Sequence, residues 1–265
     1  MVKMNRNYAI ILFILAIAFL LTGWRIDKTE RKFSLRDLAQ VMLEQKGNEV
    51  FQYWEFENKP FLWDTDPGQI NALKSYRDSL EVVLGTERFG QAVQKEASQT
   101  TAADSLNSKN GDLINAQLVH SGRVGKIRAI NFLEAQVLNY QLMRYPLLSH
   151  PTEFQGFILL NDSLNRVRVY FGASDQPWPP KPKVIMESMV KDLKQGWKFK
   201  YHLHNHYEPK TNNYIGIMAP SLADAQFFAF LAEDYGLNTA LITNGFNTVE
   251  IKREDFSKLK TPDKL

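Results

Sequence analysis

The sequence predicts an α+β protein preceded by an amino-terminal membrane anchor and a mainly helical region. Three observations support this prediction. A long uncharged apolar run lies near the amino end, and apolar residues follow at helical spacing within residues 27–98. After a polar linker at 99–115, alternating strand patterns and helical patterns interleave over residues 120–260. That last part is long enough to bury a core of its own.

Composition narrows the chemistry that the chain can carry. The 265 residues include no cysteine, which excludes disulfides, cysteine-ligated zinc, iron–sulfur clusters and a cysteine nucleophile. Any metal site must therefore use His, Asp and Glu. The 32 basic residues nearly balance the 29 acidic ones, and a net charge of +3 argues against nucleic acid as a partner for the whole surface.

The amino end has the pattern of a single-pass anchor. Residues 1–7 form a short tail with Lys3 and Arg6, and residues 8–24 carry no charge. As a helix this run spans about 25 Å at about 1.5 Å per residue, close to the thickness of a hydrocarbon core. Trp24 suits the membrane interface. The sequence therefore predicts an uncleaved transmembrane anchor.

A cleaved signal peptide is the alternative reading of the same run. Its cleavage site should follow the apolar segment, but the only Ala-x-Ala, at Ala16 and Ala18, lies inside it. Basic residues flank the run on both sides, so the charge rule does not decide its orientation. The lack of cysteine and the short tail favour a body outside the cytoplasm.

Residues 27–98 show helical spacing interrupted by an aromatic stretch. One amphipathic helix is predicted to begin at Ser34 and a second at Asp66-Pro67, and Val50–Trp63 between them favours a hairpin. The small polar residues of 98–112 predict the linker. No motif in 27–115 indicates a role for this part of the chain.

Beyond the linker, each predicted element rests on its own pattern of apolar residues. The predicted helices are Ile127–Tyr145, Val184–Leu193 and Ser221–Tyr235, and a rigid loop is predicted at Pro177–Pro182. The predicted strands are Phe154–Leu160, Arg166–Phe171, Trp197–His204, Ala240–Thr243 and Thr248–Ile251.

Three histidines near the end of one predicted strand are candidates for a metal site. His202, His204 and His206 alternate, so neighbouring pairs share a face of the strand and can converge on one ion. Ser221 and Asp224 open the following helix, where they can form a helix-capping box or bring a carboxylate to the same ion.

Together with Glu153, which opens an earlier strand, these residues resemble the motif of the JAB/MPN family of JAMM-type zinc metallopeptidases. Glu153 and Gly156 match its first part, His204-Asn205-His206 its second, and Ser221 with Asp224 its third. The likeness covers residues 127–252 and is closest to the RadC-like branch. It implies a mixed sheet flanked by helices.

The resemblance also implies roles for the matched residues. His204, His206 and Asp224 would bind one Zn²⁺, Glu153 would act as general base, and Ser221 would stabilise the oxyanion. The chain departs from the family in the long stretch 207–220 and in Tyr207, which stands where the family usually has proline. His202 and His204 remain an alternative ligand pair.

The function that this resemblance implies is a membrane-anchored zinc peptidase or isopeptidase acting on a protein or peptide substrate. A non-catalytic JAB/MPN-like scaffold or partner-binding module is the alternative, although members that lost the metal lack at least one ligand and this chain keeps the set. A DNA-associated RadC-like role is a third hypothesis. The predicted membrane anchor argues against it.

Overall fold

The structure is a computed structural model, and it describes residues 33–65, 72–97, 110–206 and 218–262. The predicted tail at 1–7 and the predicted anchor at 8–24 lie outside these residues. Within the described ranges, no helix combines the length and the apolar character needed to cross a membrane.

Eight strands of the described residues form one mixed sheet, in the order β1-β2-β5-β4-β6-β7-β8-β3. The pair β6–β7 is parallel and every other neighbouring pair is antiparallel. The strands are β1 (Gln40–Lys46), β2 (Glu49–Glu57), β3 (Lys126–Ala129), β4 (Phe154–Asn161), β5 (Arg166–Ala173), β6 (Lys198–Asn205), β7 (Thr239–Thr243) and β8 (Asn247–Lys252). The predicted α+β class is confirmed.

Helices flank both faces of this sheet. On one face, Ile185 and Met189 from one helix and Phe228 and Leu231 from another share a buried cluster with Phe157 of β4. On the other face, Tyr140 contacts Trp54 of β2 edge-on. The helices are α1 (Lys74–Leu84), α2 (Thr86–Ala97), α3 (Gly111–His120), α4 (Phe132–Arg144), α5 (Lys183–Lys194) and α6 (Leu222–Asp234), with 3₁₀ turns at Leu35–Asp37, Pro60–Trp63 and Arg253–Lys258.

The strands beside β6 are apolar on both faces, which explains their central place in the sheet. Every residue of β7 is buried, and so is nearly all of β4. Strands covered by helices on both faces lose the alternation of apolar and polar residues that marks a half-exposed strand. The last four residues of β6, including His202 and His204, are also buried.

The prediction of a mainly helical region at 27–98 is wrong for its first half. Where a helix was expected from Ser34, the chain makes a short 3₁₀ turn and then β1, which pairs with β2 through a turn containing Gly47 at a φ of 56°. Glycine adopts this conformation without the penalty that a Cβ would bring. Strand β2 pairs with β5, so residues 40–57 belong to the same sheet as the carboxy-terminal strands.

Two further boundaries differ from the sequence prediction. The expected helix Ile127–Tyr145 is a strand followed by a helix, because Asn131 and Glu134 form a capping box that begins α4. The expected linker at 99–115 ends earlier, because Asn110 caps α3 and residues 111–115 are helical. Residues 99–109 lie outside the described ranges.

A charged cluster ties β2 and β5 to α5. The Arg168 guanidinium donates hydrogen bonds to Glu55 and Asp192, and the Tyr170 hydroxyl donates to Asp192 at 2.5 Å. Burial lowers the pKa of Arg168, but the hydrogen bonds to the two carboxylates outweigh it and raise the pKa. The same guanidinium also lies over the ring of Trp197, with 4.4 Å between the guanidinium carbon and the ring centroid.

We expect Arg168→Met to destabilise the protein by about 3 kcal/mol, since it leaves the carboxylate of Asp192 buried without its cation. Chemical denaturation of the full chain in detergent measures the change. Lys198→Met is the matched control, because it breaks an exposed ion pair with Asp162 and should leave the unfolding midpoint unchanged. Equal midpoints for both variants would contradict a structural role for the cluster.

Candidate metal centre

The end of β6 brings His204 and His206 to the same face of the sheet. Strand β6 runs beside β7 with His204 opposite Ile242, and the His206 N–H donates to the Thr243 carbonyl at 3.3 Å just beyond the last strand residue. Alternate residues of a strand share a face, so both imidazoles project toward α6. The parallel pairing with β7 thus fixes the backbone that carries them.

The start of α6 supplies the carboxylate. Ser221 is the N-cap residue, and its hydroxyl oxygen accepts a hydrogen bond from the Asp224 N–H at 3.1 Å. Asp224 Oδ2 in turn accepts from the Ser221 N–H at 2.8 Å and from the Ser221 hydroxyl at 2.7 Å. These reciprocal bonds satisfy orphan donors of the helix end and leave the carboxylate in a single orientation.

His204, His206 and Asp224 converge on one point. The two histidine Nε2 atoms lie 3.0 Å apart, His204 Nε2 lies 3.5 Å from Asp224 Oδ1, and His206 Nε2 lies 3.3 Å from Asp224 Oδ2. Ligand atoms around a tetrahedral zinc with bonds of about 2.0–2.1 Å lie about 3.3–3.4 Å from one another. The three side chains thus lie close enough together to hold one metal ion. No other such group of His, Asp or Glu occurs among the described residues.

One of the three side chains of the site is buried and the other two are partly exposed. The His204 side chain is 4% exposed, whereas those of His206 and Asp224 are 16% and 24% exposed. Three protein ligands with an accessible fourth position are typical of a catalytic zinc site, whereas structural sites carry four protein ligands. The side chains of His206 and Asp224 are thus partly accessible to solvent.

The surroundings of Asp224 lower the pKa of its carboxyl group. Burial alone raises the pKa of its carboxyl group, but the charges and hydrogen bonds of His204 and His206 outweigh burial and hold the pKa well below its usual value. The carboxylate is therefore ionised at neutral pH, which is the form that binds a metal.

His202 is buried in the core and does not belong to the group formed by His204, His206 and Asp224. Its ring packs edge-on against Phe157 at 4.9 Å and Phe227 at 5.4 Å, measured between ring centroids. Both ring nitrogens are buried without a hydrogen-bond partner. Burial lowers the pKa of His202 well below its usual value, so the ring is neutral. The described structure thus groups His204 and His206, and not His202, with Asp224.

Glu153 directly precedes β4, which pairs antiparallel with β6. In this pairing Gln155 lies opposite His204, which is the last pair of the ladder at this end. Residues opposite each other across a ladder share a face of the sheet. Glu153 lies two residues beyond this pair, at the same end of the sheet as the histidines. Gly156, the other residue of this motif, pairs with Leu203.

Ser221 contacts Asp224 through its side chain, and the oxyanion role that the resemblance implies stays a prediction. The Ser221 hydroxyl donates a hydrogen bond to Asp224. This contact orients the carboxylate. The structure thus shows Ser221 as a helix cap and as the support of Asp224.

Sequence reasoning missed two residues that hold the site in place. Asp112 of α3 accepts a hydrogen bond from the Leu222 N–H at 2.7 Å, so it caps the first turn of the helix that carries Asp224. Asn205 bonds to the backbone on both sides of Glu153. Its place between the two histidines was visible in the sequence, but no spacing rule revealed these partners.

Comparison with protein-family models, with curated proteins and with solved structures found no match to this chain.

We expect the full chain to bind one zinc per molecule, and His206→Ala to abolish binding by removing one of three ligands. His202→Ala is the matched control from the same strand, and it should keep the full zinc content. Elemental analysis of protein prepared without chelator measures both. Loss of zinc in His202→Ala, with retention in His206→Ala, would show that the ligand pair is His202 and His204.

Ser221→Ala should weaken zinc binding about 10- to 100-fold, because residues that orient a metal ligand typically contribute that much affinity. Competition with a zinc chelator gives the dissociation constant. A variant with unchanged zinc affinity would contradict the positioning role of Ser221, and an accompanying loss of turnover would restore the oxyanion role.

Proposed function

We propose that this chain is a membrane-anchored zinc peptidase or isopeptidase of the JAMM type. The observation that carries the proposal is the convergence of His204, His206 and Asp224 within 3.0–3.5 Å at the rim of the sheet. Two neutral imidazoles and one carboxylate form the ligand set of many hydrolytic zinc sites. The resemblance to the JAB/MPN motif supplies the type of bond cleaved.

In this proposal His204, His206 and Asp224 would hold a zinc ion, which would supply a water of pKa about 7 and Lewis-acid polarisation of the substrate carbonyl. The Glu153 carboxylate accepts a proton from the attacking water, whose oxygen forms the new bond to the carbonyl carbon. As the carbon–nitrogen bond breaks, Glu153 passes that proton to the leaving amine. The products are a carboxylate and an amine.

The position of Glu153 supports this assignment. A general base must lie within hydrogen-bond reach of the water that it deprotonates and must remain free of the metal ligand set. Glu153 lies two residues beyond Gln155, which pairs with His204, and it is not among the three converging ligands.

Residues 8–24 place the site at a membrane in this proposal, with the chain body outside the cytoplasm. A single-pass anchor restricts the enzyme to substrates that reach the membrane surface. The resemblance to the JAB/MPN motif implies that the substrate is a protein or peptide and that the bond is a main-chain peptide bond or a lysine isopeptide bond.

The full chain in detergent, loaded with zinc, is incubated with a library of linear peptides and a second library of branched peptides joined through lysine. Mass spectrometry should show zinc-dependent cleavage in one of them. A chain that holds one zinc and cleaves neither library would contradict the proposed activity and favour the non-catalytic scaffold.

Glu153→Gln should keep its zinc and its fold but lose about 100- to 10,000-fold in turnover, because an amide cannot accept the proton from water. Glu187→Gln is the matched control, since Glu187 is an exposed residue of α5 that pairs only with Lys183 at 3.9 Å. Turnover is measured on the peptide identified by the library screen. Wild-type turnover in the zinc-loaded Glu153→Gln variant would refute the assignment of the base.

A further inference from the structure

The backbone around Glu153 is held on both sides by one side chain. Asn205 Nδ2 donates a hydrogen bond to the Thr152 carbonyl at 3.1 Å, and Asn205 Oδ1 accepts one from the Phe154 N–H at 2.9 Å. Asn205 is 1% exposed, so no water competes for these bonds. The two contacts are made to the residues directly before and after Glu153. We call this pair of hydrogen bonds the clamp.

Further contacts immobilise the same short segment. Gln141 of α4 donates a buried hydrogen bond to Thr152 Oγ1 at 2.7 Å. The ring of Phe154 stacks on Phe171 of β5, with 5.6 Å between the ring centroids. Residues 152 and 154 are therefore fixed by the core, and the backbone of Glu153 between them has little freedom to move.

An amide side chain supplies both groups that this clamp needs. Asparagine offers both a donor and an acceptor, whereas an ionised aspartate offers acceptors alone and leucine offers neither. Asn205 lies between His204 and His206 on the strand, so it projects to the opposite face and cannot join them as a ligand. His204 and His206 thus share one face at the end of β6. Asn205 lies between them and makes the clamp.

We propose that Asn205 is a positioning residue, which fixes the Glu153 carboxylate relative to His204 and His206. This inference rests on the proposed function, because it takes Glu153 as the general base. The clamp couples the base to the ligand strand directly, so that Glu153 and the two histidines keep one geometry.

A general base that moves by about 1 Å can lose about 100-fold in rate. Asn205→Ala should therefore lower kcat by about 10- to 100-fold while KM stays within about two-fold. Zinc content should remain at one per chain, because the three ligands are intact. Amide exchange at Phe154 should accelerate, since its N–H loses a buried acceptor.

A second asparagine of this chain provides the matched control. Asn115 makes the same kind of buried clamp on Lys260, donating to its carbonyl at 3.0 Å and accepting from its N–H at 2.7 Å. Asn115→Ala removes the same two contacts from a segment that carries no proposed base. It should lower the melting temperature but leave kcat unchanged.

A double variant tests whether Asn205 acts through Glu153. If it does, Glu153→Gln combined with Asn205→Ala should turn over at the rate of Glu153→Gln alone, because the base that the clamp positions is already absent. Full-chain variants are assayed on the library peptide that the wild type cleaves, with zinc content and melting temperature measured on each sample.

Three outcomes would overturn the inference while the proposed function stands: wild-type kcat in Asn205→Ala, equal losses of kcat in Asn205→Ala and Asn115→Ala, or multiplied losses in the double variant. A zinc-loaded wild type that cleaves no peptide would instead overturn the proposed function, and the inference with it. If Asn205→Ala does not fold, Asn205→Asp replaces it. That variant keeps the acceptor for Phe154 but loses the donor to Thr152, and the same criteria apply.

Discussion

The pairing of β6 with both of its neighbours is the constraint on which the candidate site depends. The parallel ladder with β7 holds the backbone of His204 and His206. The antiparallel ladder with β4 brings the Glu153 segment alongside the same residues. Because every side chain alternates along a strand, a slip of one residue in either ladder would turn the histidines or the glutamate to the opposite face. The buried apolar residues of β4 and β7 oppose such a slip.

The site also depends on Asp112, which lies in the stretch predicted from the sequence to be a linker. Asp112 belongs to the first turn of α3 and caps the helix that carries Asp224. The correction therefore changes the account of the site as well as the account of the fold. The chain before the predicted catalytic domain supplies two strands to the sheet and one hydrogen bond to the helix that carries Asp224.

The sequence predicted the candidate ligands because their chemistry follows short-range rules. Alternation along a strand placed the histidines on one face, and the spacing of Ser221 and Asp224 placed a carboxylate at a helix start. The capping box and the metal site are alternatives in the sequence; the structure shows the capping box, and the same carboxylate lies within 3.3–3.5 Å of both imidazoles. The choice between His202 and His206 needed tertiary information, since the packing of Phe227 over His202 is not visible in any spacing rule.

The fold predictions were wrong where the local spacing of apolar residues indicated a helix but the chain forms a strand. Leu35, Leu38, Val41 and Met42 match a helix by spacing, yet β1 forms because its residues pair with the aromatic strand β2. The strand before α4 was also overlooked, although Asn131 followed by Glu134 is a helix-start signal that could have divided the predicted helix. Asn205 could not be assigned from sequence, because its partners lie some fifty residues away along the chain.

Anomalous diffraction at the zinc absorption edge tests the central claim most directly. Crystals of the zinc-loaded chain should show one anomalous peak, bonded at about 2.0–2.2 Å to Nε2 of His204, Nε2 of His206 and one carboxylate oxygen of Asp224. A peak between His202 and His204, or no peak near Asp224 in crystals grown with excess zinc, would contradict the account.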